Sequence, residues 1–280
     1  PAALSGYDGK AALDQLKAHD PVTFEHWIGP FRSGGEIYLE SQSDNCSTLS
    51  STLGRAFRDY LSLFAKGAIL DIGCGPHADP VYLKGYPRNQ LSAVEPLDLA
   101  VEPEINVVQG VNEFLPWADN AFSTVVNATS IDHVLDLERS LEETRRVLQE
   151  DGLFVIWFAN VDGSPDYTKI APADRTPVDG AHLFHVSDDW FLPLMDRYFE
   201  LIDFRTFQAD PKVADVFAVY RPRKTIRTVS DASPTKTPTK RRTKKAPGKA
   251  TPPAKASKRS PTKRRASKKT TTSRRRTNNS

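Results

Sequence analysis

The stretch AILDIGCGPHADP, Ala68 to Pro80, decides the fold. Its first five residues are a short apolar run around one carboxylate, Asp71, and Gly73-Cys74-Gly75 follows at once. A brief apolar run bounded by glycines reads as a buried strand, and the glycines read as a tight turn leading towards a helix. In an open α/β sheet, ligands bind at that carboxyl end. Upstream, Leu53, Phe57, Leu61 and Phe64 recur at helical spacing before Gly67, which predicts a helix from about Thr52 to Lys66. Downstream, LSAV at Leu91, INVV at Ile105, STVVN at Ser123 and LFVIWF at Leu153 are further strand candidates. The clearest helix between them carries Leu137, Leu141 and Leu148 and is expected to end at Asp151-Gly152. Alternation of this kind predicts an α/β fold around a mostly parallel sheet. ELIDFRTF from Glu200 and ADVFAVY from Ala214 flank a short polar link with Pro211, which predicts a terminal antiparallel pair.

Two cofactors compete for the turn. Gly73 to Ala78 fits G-x-G-x-x-A, the dinucleotide fingerprint, and Glu95 ends the second strand 20 residues beyond Gly75. A nicotinamide oxidoreductase is therefore one reading. A dinucleotide would place a pyrophosphate beside Asp71, which repels it, whereas S-adenosyl-L-methionine brings an amino group and a sulfonium and no phosphate. Asp71 thus favours the sulfonium cofactor.

The blocks LDIGCGP, AVEP, GVNEFLPWADNAFSTVV, SIDHVLD and LEETRRVLQEDGLFVI occur in an order and spacing that resemble the class I S-adenosylmethionine-dependent methyltransferases, type 11 group, over roughly Lys66 to Arg221. The resemblance implies a Rossmann-like class I methyltransferase fold. It also implies that Asp71, Gly73 and Gly75 shape the loop around the methionine moiety and that Glu95 accepts hydrogen bonds from the ribose diol. Asn112 and Glu113 then stand where the family contacts adenine, and Asn127 ends the fourth strand facing the methyl donor. The chain departs from the family pattern at His77, Val111 and Phe122-Ser123. A DPPY-like or NPPY-like motif, which many amino-group enzymes of this kind carry, is replaced by NATS, Asn127 to Ser130, which points to a hydroxyl acceptor on a small molecule or carbohydrate. A nucleic-acid-directed methyltransferase recruited by the basic C-terminal segment, and a protein that binds the cofactor without turnover, remain separate readings.

On the acceptor side, His133 in SIDHVLD is the candidate proton acceptor, because its side chain titrates nearest neutrality. His182 and His185 have i, i+3 spacing, but no further metal ligands stand nearby in sequence, so no metal is expected. Cys74 reads as a small packed residue, and Trp190, Phe191 and Tyr198 read as packing residues of an outer helix whose boundary Pro193 obscures.

The net charge of +3 conceals two opposite segments. Residues 224–280 hold 20 basic residues and one acid, Asp231, a balance of +19; residues 1–223 hold 18 basic and 34 acidic, a balance of −16. The basic segment contains no Phe, Tyr or Trp, so it cannot bury a core and is expected to be disordered. The organisation expected is an N-terminal helical cap over 1–65, a methyltransferase domain over 66–223 and a basic tail over 224–280. Its three [ST]-P-T-K units, beginning at Ser233, Thr237 and Ser260, are similar to histone H1-like tails. Such a tail attracts nucleic acid or another polyanion in a salt-sensitive way, and KRRTKK at Lys240 and KRRASKK at Lys263 would serve as nuclear-import patches in a eukaryote. The longest apolar run, LFVIWFA, is far short of the roughly 20 residues a spanning helix needs. With two cysteines, Cys46 and Cys74, and no basic apolar leader, a cytoplasmic protein is expected, with nucleoid or nuclear association through the tail.

Overall fold

The computed structural model of the protein describes residues 1–40, 51–208 and 210–227. Its centre is a seven-stranded sheet in the order β3-β2-β1-β4-β5-β7-β6. The strands are β1 (Ile69–Ile72), β2 (Leu91–Glu95), β3 (Asn106–Gln109), β4 (Phe122–Ala128), β5 (Leu148–Val161), β6 (Phe199–Gln208) and β7 (Val213–Pro222). β1 to β5 pair in parallel, while β7 runs antiparallel to both β5 and β6. The expected α/β architecture with a terminal antiparallel pair is therefore present. The sheet grows from β1 in both directions, with β2 on one side and β4 on the other, and this reversal opens a crevice at the carboxyl ends of β1 and β4.

Side chains of a strand alternate between faces, and the core divides accordingly. Leu70, Val125, Phe154, Ile156 and Ala218 pack on one side with α4 (Leu137–Val147) and α5 (Asp188–Tyr198). Ile69, Val126, Val155, Trp157 and Phe217 pack on the other with α3 (Thr52–Leu61), through Phe57, Tyr60 and Leu61. Two N-terminal helices, α1 (Ala12–His19) and α2 (Pro21–Glu40), join the first side through Leu16, Phe24 and Trp27. The expected cap over 1–65 is thus divided, because α3 belongs to the opposite face of the sheet. Trp190, Phe191 and Tyr198 are buried in the α5 packing, and α5 continues through Pro193, which simply lacks an N–H to donate.

Four expectations differ from the structure. Helix α3 stops at Leu61, and the bonds Phe64 N–H to Leu61 O and Ala65 N–H to Leu61 O close the last turn before Gly67. The helix expected after Gly75 is reduced to three-residue 3-10 turns at Val81–Leu83 and Arg88–Gln90, since Pro76, Pro80 and Pro87 have no N–H and Gly85 adopts φ +103°. Helix α4 ends at Val147, not at Asp151-Gly152: Leu148 already pairs with Phe122 in the sheet, and the register shifts before Thr124 meets Leu153. Leu148 lies in phase with Leu137 and Leu141, so periodicity alone carried it into the helix. At the C-terminus, order passes Arg223, because Arg227 donates to Asp196 at 2.8 Å and to the Arg197 carbonyl. The rest of the basic tail lies outside the described residues, as does Cys46.

Candidate active site

The turn after β1 is shaped by backbone geometry. Gly73 and Gly75 have φ of +77° and +79°, the left-handed region in which a Cβ is strained. At Gly73 a Cβ would also stand 2.6 Å from Ser130 Cβ and Oγ, so the chain admits only hydrogen there. The turn is pinned to both neighbouring strands: Gly73 N–H donates to Val94 O at 2.9 Å, and Ser130 Oγ donates to Ile72 O at 2.7 Å. Glu95, at the end of β2 and 3% exposed, accepts from Gly75 N–H at 2.7 Å and from Leu97 N–H at 3.0 Å, one bond on each oxygen. A carboxylate oxygen has two acceptor directions, so Glu95 can hold the turn and still receive a vicinal diol.

These groups line a cleft whose walls also include Tyr82, Leu97, Val111, Asn112 and Glu113 and, from α2 and the segment after β4, Trp27, Phe31, Tyr38, Thr129 and His133. Burial pushes the Glu95 carboxyl up to about 7, against the pull of the two backbone N–H groups. Asn112 also lines the cleft; its Oδ1 accepts from Thr144 Oγ at 3.5 Å, while its buried Nδ2 has no hydrogen-bond partner. A buried donor without a partner is costly, and a ring nitrogen of adenine would satisfy it. The residues present therefore fit S-adenosyl-L-methionine: an acceptor for the diol, a donor for the base, and a turn with no room for side chains.

Two sequence candidates lie outside the cleft wall, and a third, Glu113, stands in the wall but is bonded to backbone donors. Asp71 does not line the cleft. It shares its strand face with Ile69, is fully buried, and accepts from Tyr82 Oη at 3.0 and 3.2 Å. Burial raises its carboxyl to about 8, opposed by the Tyr82 bond and reinforced by the charge of Glu95. Asn127 is also fully buried outside the cleft wall, where its Oδ1 accepts from Ser130 N–H at 3.4 Å. Glu113 accepts from the Leu135 and Asp136 N–H groups at 2.7 and 3.1 Å, which fixes the loop beyond His133. Burial pushes Glu113 up to about 6, opposed by those bonds. Cys74 is a buried thiol, raised by burial and by the charges of Glu95 and Asp71, as suits a packing residue.

On the acceptor side, His133 closes a 3-10 turn, Ile131–His133, shortly after β4. Its carbonyl accepts from Trp27 Nε1 at 2.7 Å, and its Nε2 lies 3.0 Å from Tyr38 Oη. The imidazole stacks on His182 with centroids 4.4 Å apart, and burial holds its pKa below the usual histidine value. Trp27, Phe31 and Tyr38 come from α2, and sequence reasoning did not select them. The available signal was their spacing: with Gly34 and Gly35, also in the wall, they form one helical face. The approach of His182 to His133 had no sequence signal, because 49 positions separate them in sequence.

Residues 70–156 match the family model described as methyltransferase domain. The mitochondrial arginine-hydroxylase of Rattus norvegicus is 33% identical over 93 residues, 31% of this chain and 27% of that protein. A probable S-adenosylmethionine-dependent methyltransferase of Mycobacterium tuberculosis is 25% identical over 140 residues, 45% of this chain and 46% of that protein. The chain thus spans less than half the length of these curated relatives. Among solved structures, the N-methyltransferase NodS of Bradyrhizobium japonicum, in complex with S-adenosylhomocysteine, superposes with a TM-score of 0.51 at 14% identity, covering 69% of this chain and 98% of that one. The 1,6-didemethyltoxoflavin-N1-methyltransferase of Burkholderia thailandensis, with 1,6-didemethyltoxoflavin and S-adenosylhomocysteine bound, gives a TM-score of 0.51 at 16% identity over 79% of this chain and 94% of that one. The sheet is that of the Rossmann-like class I methyltransferase fold, and residues 70–156 are similar to a methyltransferase domain.

Proposed function

We infer that the chain is an S-adenosyl-L-methionine-dependent methyltransferase that alkylates a hydroxyl of a small molecule or carbohydrate. One observation carries the reading of the cofactor: among the described residues, the cleft is lined by Glu95 and Glu113 and by no lysine or arginine. A pyrophosphate would find no cationic side chain among these residues, whereas a sulfonium and an amino group are attracted to the carboxylates when ionised. This replaces the argument from Asp71, which stands behind the wall. When bound, S-adenosyl-L-methionine supplies an electrophilic methyl carbon whose bond to sulfur breaks, with its electron pair, as the acceptor oxygen attacks.

The chain's own residues then have two tasks. Gly73, Gly75, Glu95 and Asn112 hold the cofactor by its polar ends, and Asp71 and Asn127 stiffen the turn from behind. Trp27, Phe31 and Tyr38 offer an aromatic wall against which a flat molecule or sugar ring excludes water. An aliphatic hydroxyl attacks only as its proton leaves, and the His133 ring, beside the Tyr38 hydroxyl, is the acceptor for that proton. The basic segment beyond Arg227 supplies attraction to nucleic acid or another polyanion, and so an association with the nucleoid or nucleus, apart from the chemistry.

The test is transfer of a labelled methyl group to fractionated cell extract. Label should enter small-molecule or glycan fractions as an alkali-stable ether. Label confined to RNA, DNA or protein, the last including arginine side chains, would overturn the acceptor class. A chain truncated after Arg227 should transfer methyl groups to the same product while losing salt-sensitive retention on DNA and RNA. Unchanged retention would remove the tail's assigned role.

A further inference from the structure

The corner behind His133 contains more than a proton acceptor needs. Ligand-type atoms of Asp132, His133 and His182 lie within 4.8 Å of one another. Asp132 is only 9% exposed, and its Oδ1 is buried with no hydrogen-bond partner. Its Oδ2 lies 3.9 Å from His182 Nε2. The other nitrogen of that ring, Nδ1, is 2.9 and 3.0 Å from the two oxygens of Asp179, which also accepts from the Ala181 and His182 N–H groups. A carboxylate at Nδ1 places the proton there and leaves Nε2 with a lone pair aimed at Asp132. That is how a histidine is prepared to ligate a metal, with an outer carboxylate fixing tautomer and ring orientation.

We propose that Asp132, His133 and His182 form a site for one divalent transition-metal ion of the zinc class, with Asp179 orienting His182 from outside the coordination shell. Two imidazoles and a carboxylate suit zinc, cobalt or iron(II) rather than magnesium or calcium, which prefer all-oxygen shells. Tetrahedral zinc holds its ligand atoms roughly 3.3 Å apart, so the three side chains need to close by on the order of 1 Å. The His133 and His182 rings, stacked with centroids 4.4 Å apart, must also turn so that both lone pairs meet one ion, and His133 must release Tyr38 if its Nε2 ligates. Asp179, His182 and His185 also cluster, with His185 Nε2 3.2 Å from Asp179. There, however, the carboxylate is already occupied by two backbone donors and the His182 ring, whereas Asp132 Oδ1 has no partner. Ion and acceptor proton would exclude each other at the His133 ring, so metal occupancy and base catalysis by His133 are alternative states of one corner.

The test uses the full chain, stripped with chelator, and equilibrium dialysis against Zn2+ with Co2+ absorbance as a second readout. One equivalent should bind, Co2+ should give a tetrahedral visible spectrum, and Zn2+ should raise the melting temperature. His182→Ala and Asp132→Asn should each abolish stoichiometric binding. Asp179→Asn should weaken it about 10- to 100-fold, and His185→Ala should leave it intact. Chelator-stripped melting curves of the variants matching wild type would exclude misfolding; where one does not match, the Co2+ spectrum of the matching ligand variant decides. No stoichiometric binding by wild type, or binding lost in His185→Ala but kept in Asp132→Asn, would overturn the proposal.

Discussion

The two ends of the cleft are built differently. At the cofactor end, the turn after β1 and the carboxylate ending β2 meet through backbone hydrogen bonds, such as Gly75 N–H to Glu95 at 2.7 Å. At the acceptor end, side chains meet across long stretches of sequence: Trp27 and Tyr38 from α2 reach His133, and His182 returns from the far side of the fold to stack on it. Geometry held by backbone at strand ends changes little when the surrounding side chains change. Geometry held by distant side chains is free to vary with the acceptor. One sheet can therefore keep a fixed cofactor site while its acceptor site takes a different shape.

A pair of substitutions should separate the two ends most strongly. His133→Ala is expected to lower turnover on the true hydroxyl acceptor by about 10²- to 10⁴-fold while cofactor affinity stays unchanged. Gly73→Ala should do the reverse first: a Cβ 2.6 Å from Ser130 at φ +77° displaces the turn, so cofactor affinity falls and turnover falls only as a consequence. Calorimetry for affinity and saturating-cofactor assays for turnover read both. If His133→Ala kept nearly full turnover, the acceptor would be an amine or thiol and His133 a scaffold residue.

A smaller effect should appear with pH. The folded-state values of Asp71 and Glu95 are raised, to about 8 and about 7. A carboxyl raised on folding contributes stability that is fully present below its unfolded value and is lost as pH rises through the folded one. The ligand-free protein should therefore lose stability between about pH 4 and 8. A cationic cofactor favours the ionised carboxylates, so the affinity ratio of S-adenosylmethionine to S-adenosylhomocysteine, whose sulfur is neutral, should rise several-fold from pH 6 to 8. Asp71→Asn should flatten that rise. A ratio independent of pH would mean that the two carboxylates do not sense the sulfonium.

The same contrast explains what could be read from sequence. Strand order at the sheet's end, the glycine turn and Glu95 were legible because each depends on local spacing within one β-turn-β unit. The side of the strand on which Asp71 falls was not, since it depends on register against β2 and β4 and on Tyr82, which arrives from a proline-broken segment where a helix was expected. Glu113 was read as standing where the family contacts adenine, and its hold on the Leu135 and Asp136 backbone had no sequence signal. The Trp27, Phe31 and Tyr38 face was written in helical spacing, yet nothing local says that this face turns towards the cleft rather than the core.

The central claim is a cation-accepting cofactor cleft anchored by Glu95, and titration calorimetry tests it most directly. The full chain should bind S-adenosyl-L-methionine and S-adenosylhomocysteine stoichiometrically and NAD not detectably. Glu95→Ala should weaken both by about 1 to 3 kcal/mol, roughly 5- to 150-fold, through lost charge-assisted hydrogen bonds. Absence of binding by the wild-type chain, or tighter binding of NAD, would contradict the account.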